Sequence, residues 1–199
     1  RAAAAARDLP PGDETAGVFL RALVAWTTDG PVAAFPLLAR ALRSLTHDED
    51  LVVLWPAANA AVELGDLHTW LEITGRAVRF ARTTGTLSVL STALPYRAAS
   101  LVHTGRFAEA RDLLDETPAV AEAAGMATHL VSTSLLHAYQ GRERPALEVI
   151  GAMDREGAQR GLGRLNAMAA CARAVLHNGL GNYAAAMDAA LRGDEHQDL

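Results

Sequence analysis

Thr104 to Gly125 reads TGRFAEARDLLDETPAVAEAAG, and much of the remaining chain repeats its plan. Gly105 ends one helical pattern. Phe107, Ala110, Leu113, Leu114 and Ala121 then recur at the spacing that puts them on one helix face, and Gly125 closes the segment. Gly65 opens a related segment with Leu67, Trp70, Leu71 and Val78 and ends at Gly85. Gly181 opens another with Tyr183, Ala186, Met187 and Ala190, and Gly141 opens a weaker one that ends at Gly161. The pairs 65/85, 105/125 and 141/161 are each 20 residues apart. A fixed glycine spacing around an apolar helical stripe predicts stacked helical pairs, because one short pair cannot bury its stripe alone.

Working outward, the pattern predicts an all-α chain of about five antiparallel helix pairs, at roughly 13–46, 51–85, 86–125, 126–161 and 162–193, in a single right-handed α-solenoid. Pro10-Pro11-Gly12 breaks a leading alanine helix, Asp13 is placed to cap the next, and Glu14 suits its positive end. Asp29-Gly30-Pro31 reads as a turn into a helix whose face carries Val32, Phe35, Leu38, Leu42 and Leu45. Thr46 to Asp50, THDED, is a polar connection whose charges cap and solvate rather than bind metal. Pro56, Pro95 and Pro118 predict late helix starts or kinks, since an interior proline removes a helical hydrogen bond. The fourth pair is expected to begin at Met126, and Gly193 to Leu199 to be frayed or truncated. The turn glycines are expected at positive φ. Ala58, Ala98, Ala110, Ala146 and Ala186 should let helices approach closely, with Trp70, Phe107 and Tyr183 filling wider gaps.

Composition narrows function by exclusion. The chain has 199 residues, 50% of them hydrophobic, and a net charge of −5. No apolar run approaches the roughly 18 residues of a membrane span. Arg1 to Arg7 lack the order of a signal peptide, so a cytoplasmic chain is expected. The start RAAAAARDL reads as the tail of an earlier helix, as in a piece excised from a longer protein. Every basic residue is arginine. With no lysine, no phosphate-binding loop of the Walker kind lies within these residues, and the acidic balance argues against direct nucleic-acid contact. Cys171 is the sole cysteine, which excludes an internal disulfide.

Leu180-Gly181-Asn182-Tyr183 followed by Ala186, matched by Gly105-Arg106-Phe107 followed by Ala110, resembles the turn and second-helix signature of tetratricopeptide repeats. The turn glycines Gly30, Gly65, Gly105, Gly141 and Gly181 recur at 35, 40, 36 and 40 residues, longer than the standard repeat of about 34. Such stretched repeats, with residues 51–94 and 171–191 in particular, are similar to the middle region of the large ATP-binding LuxR-type bacterial transcriptional regulators. The resemblance covers nearly the whole chain. It implies an NTPase module before this region and a DNA-binding helix-turn-helix after it, neither of which maps onto any residue here. What it implies for this segment is a non-catalytic sensor or scaffold that binds an effector or a protein and contributes to control of transcription.

Two other readings stand beside it. One is a tetratricopeptide adaptor that holds a partner peptide, unrelated to transcription. The other is a helical-repeat enzyme, for which these spacings assemble no acid cluster or metal triad. No cofactor is expected. Apolar residues at the two ends allow a homodimer that a longer parent never makes.

The default ligand surface of such an array is lined by the first helix of each pair. Eight residues before the turn glycines stand Ala57, Arg97, Thr133 and Arg173; six before stand Asn59, Ala99, Leu135 and Val175; four before stand Ala61, Leu101, His137 and His177. Asn59, Arg97, Tyr139, Arg173 and His177 are the candidate groove residues. Arginines in register suit a carboxylate or other anion, or else pair with nearby acids. The two histidines read as packed side chains bonded to backbone, with no third ligand for a metal. Trp55, Tyr96 and Tyr139 read as an aromatic wall or as ordinary packing, and Cys171 as an inert core thiol.

Overall fold

The computed structural model describes residues 15–45 and 51–195. The expected break at Pro10-Pro11-Gly12, the cap at Asp13 with Glu14, the THDED connection and the end from His196 lie outside the described residues. Among the described residues the secondary structure is entirely helical: α1 (Thr15–Asp29), α2 (Pro31–Arg43), α3 (Leu51–Glu63), α4 (Leu67–Thr84), α5 (Leu87–His103), α6 (Phe107–Ala124), α7 (Val131–Tyr139), α8 (Glu143–Arg160), α9 (Gly163–Gly179) and α10 (Tyr183–Glu195). Two compact units divide the chain at residues 80 and 81, within α4.

The turns follow from the glycines. Gly65, Gly85, Gly105, Gly125, Gly141, Gly161 and Gly181 all have φ between 64° and 78°. Around Gly105, its own N–H donates to the Val102 carbonyl at 3.0 Å and the Arg106 N–H donates to the Leu101 carbonyl at 2.9 Å. The same two-bond closure recurs at Gly141, where the Arg142 N–H reaches the His137 carbonyl, and at Gly181, where the Asn182 N–H reaches the His177 carbonyl. This is a Schellman cap, which satisfies carbonyls left over at a helix end and needs a left-handed residue. After Gly105, Gly141 and Gly181 the chain starts its next helix within two residues, so each of these caps is also a sharp turn. After Gly65 the start is reinforced: the Asp66 carboxylate accepts from the Thr69 N–H at 3.0 Å and from its hydroxyl at 2.6 Å.

Burial along the second helices follows one register. Counting from the preceding glycine, positions 5, 9, 12 and 16 are buried as Trp70, Thr74, Ala77 and Ala81 in α4. They are Ala110, Leu114, Thr117 and Ala121 in α6, and Ala146, Ile150, Met153 and Gly157 in α8. Steps of four, three and four follow one stripe of a 3.6-residue helix. The close-approach alanines, Ala58 included, are buried as expected. Gly157 is tighter still. A Cβ there would stand 1.9 Å from Asn166 Oδ1 of α9.

Position 2 behaves differently from the expectation of gap-filling aromatics. Trp70, at position 5, is buried, but Phe107 is only half-buried and Tyr183 is 70% exposed. Position 2 continues the line of the stripe but lies at the tip of its helix, where less of the neighbouring structure covers it.

In the first unit α1, α2 and α3 pack on one another. The stripe on α2 is rotated from the expected one: Ala34, Leu38 and Ala41 are buried, whereas Val32 and Phe35 are exposed. Small alanines admit the neighbouring backbone where larger residues would hold it away. Phe35 instead meets Trp26 of α1, with ring centroids 5.8 Å apart.

In the second unit α5 packs on α6, α7 on α8 and α9 on α10, while α5, α7 and α9 lie side by side. Three contacts register α5 against the segment leading into and through α7. The Ser91 hydroxyl donates to Met126 Sδ, the Ser132 hydroxyl donates to the Pro95 carbonyl at 2.7 Å, and His103 meets Tyr139 edge-on at 5.5 Å. These partners are 35, 37 and 36 residues apart, matching the 36 between Gly105 and Gly141.

The prolines do not delay or end their helices. Pro56, Pro95 and Pro118 lie inside α3, α5 and α6, as Pro36 does in α2. A proline removes its own N–H and frees one carbonyl of the preceding turn, a cost tertiary packing can absorb. The Pro95 carbonyl is itself used by Ser132 of α7. The fourth pair departs in the other direction: residues 126–130 are not helical, and α7 begins only at Val131. Gly125 and Gly141 are 16 residues apart instead of 20, and Met126 is occupied closing the cap on the Ala121 carbonyl. At the other end α10 continues through Gly193 to Glu195, past the expected onset of fraying.

Candidate functional site

Four candidate residues share the α5, α7 and α9 layer of the second unit: Arg97 on α5, Tyr139 on α7, and Arg173 and His177 one turn apart on α9. Asn59 is exposed on α3 and belongs to the first unit.

Arg173 faces a carboxylate. Arg173 Nη2 donates to Asp154 Oδ2 of α8 at 2.5 Å, and both side chains are partly sheltered. A charge-assisted bond of this kind fixes the guanidinium and uses part of its donor fork. Arg97 is half-buried beside a second such pair. The Glu109 carboxyl is held below its ordinary range chiefly by its bonds from Arg106, Nε to Oε1 at 2.7 Å and Nη2 to Oε2 at 2.5 Å, with Arg97 adding positive charge. Of the two arginines eight residues before a turn glycine, Arg173 is thus held in an ion pair, and Arg97 lies near the pair of Arg106 and Glu109.

The expected backbone bonds of the histidines do not run through Nδ1. Nδ1 of His137 and of His177 is buried with no hydrogen-bond partner. His103 Nδ1 meets the Ala99 carbonyl at 2.9 Å. Burial lowers the pKa of His137 below its ordinary 6.5, and the charges of Arg142 and Arg111 lower it further. The neutral ring is therefore the favoured form in the folded protein. Among the described residues no group of three His, Cys, Asp or Glu side chains is placed to hold a metal ion.

Tyr139 is 43% exposed and packs edge-on to His103. Trp55 and Tyr96 are half-buried, Trp55 in the first unit and Tyr96 in the second. Cys171 is exposed, not a core thiol, although partial desolvation raises its pKa and keeps it protonated. It stands ten residues before Gly181. The residue ten before Gly105 is Pro95, which is buried beneath Ser132 of the following pair.

A further concave feature was missed by the register of arginines and histidines. Ala174, Val175 and Asn178 of α9 with Tyr183, Ala186, Met187 and Ala190 of α10 line an open, mainly apolar groove of about 500 Å³. Its signal in the sequence is a change at shared positions. Nine residues after the glycine stand Leu114 and Ile150 in the preceding pairs but Ala190 here; three before stand Val102 and Ala138 but Asn178 here. No helix among the described residues is long and apolar enough to cross a membrane. No family model, curated protein or solved structure matches the chain.

Proposed function

We propose that this chain is a non-catalytic scaffold: a tetratricopeptide-like, right-handed solenoid of about five antiparallel helix pairs, the middle segment of a LuxR-type transcriptional regulator. In this reading it is cytoplasmic and works by binding a protein partner that biases the regulator between states. The repeat register supports it. Contacts at 35, 37 and 36 residues and one burial pattern in α4, α6 and α8 are what tandem helical pairs produce when each covers the last. The turn signatures at Gly105 and Gly181 carry the likeness to tetratricopeptide repeats, and the stretched spacing with residues 51–94 and 171–191 the likeness to the regulator family.

A partner protein is favoured over a small anionic effector by one observation. Arg173, the clearest candidate for anion capture, is already engaged by Asp154. An effector carboxylate would have to displace that partner. A peptide adaptor outside transcription uses the same surface and differs only in genetic context. The gene on both sides of this segment separates the two. A phosphate-binding loop encoded upstream and a helix-turn-helix downstream support the regulator, and joint absence overturns it. A thermal-shift screen with carboxylates, phosphates and metabolites tests the partner claim. The scaffold reading expects no shift, and a shift abolished by Arg173→Ala would replace it with a small-molecule sensor.

A further inference from the structure

We draw no further inference here: the strongest candidate, the open and mainly apolar groove between α9 and α10, is an unpartnered face on the last described helix pair, and nothing in the structure shows what covers it.

Discussion

Helices α8 and α10 start alike, two residues after a left-handed glycine, with a buried alanine at position 5 in each. They part at position 9. Ile150 is fully buried in α8, whereas Ala190 is exposed in α10. At position 12 both are buried again, as Met153 and Gly193. One edge of each helix is covered by its own pair and is therefore alike. The other edge depends on a following helix: α9 covers it for α8, and no described helix does so for α10. Burial in this architecture is a property of neighbours as much as of residues.

That contrast can be broken most severely at its point of divergence. Ile150→Ala removes a fully buried side chain and should cost about 2–5 kcal/mol in a urea titration. Ala190→Ile should be close to neutral, within about 0.5 kcal/mol, because its site is open. A comparable loss at both would mean that α10 is covered as α8 is.

The next test targets the close approach of α8 and α9. Gly157→Ala places a Cβ 1.9 Å from Asn166 Oδ1, and the overlap should outweigh the gain in helix propensity, with a net loss of about 1–3 kcal/mol. Adding Asn166→Ala should recover much of it. Additive losses in the double variant would show that the two residues do not meet.

At the turns, Gly105→Val meets no atom within 4 Å but must hold a β-branched residue at φ 75°. A loss of about 1–3 kcal/mol is expected from strain alone. Removing the cap with Asp66→Ala should cost about 1 kcal/mol. The hydrogen bonds from Thr69 hold the Asp66 carboxyl below its ordinary 3.8, so its contribution is present above that value and fades as pH falls through the lowered one.

The smallest effect sharpens the picture of the α7 layer. The folded-state pKa of His137 is lowered, so the unfolded chain takes up the proton first. Stability should decline as pH falls below about 6.5, and His137→Gln should flatten that part of the profile. A profile unchanged by the substitution would place the pH dependence elsewhere.

The turns and second helices were legible because each is set locally. A left-handed glycine precedes each of α4, α6, α8 and α10, and an alanine stands five residues later in the last three of them. The first helices were harder, since α5 and α7 are covered from several sides and their polar residues carry contacts no periodicity reveals. Ser132 reaching Pro95, and Asp154 engaging Arg173, join residues 37 and 19 apart. At Pro56 and Pro95 the expected late helix start does not occur: both lie inside their helices. On α2, weighting bulky residues picked Val32 and Phe35 for the core in place of Ala34 and Ala41. The α9–α10 groove was missed because a site made of small residues adds no recognisable chemistry; it shows only when equivalent positions are compared.

The repeat register of the second unit is the central claim, and NOE spectroscopy tests it most directly. Cross-peaks are predicted between the rings of His103 and Tyr139, between Ser132 and Pro95, and between Ser91 and Met126. All three, at separations of 36, 37 and 35 residues, would establish that α5 and the following pair meet in register. Their absence from a folded sample, or contacts of Tyr139 with a different turn of α5, would contradict it.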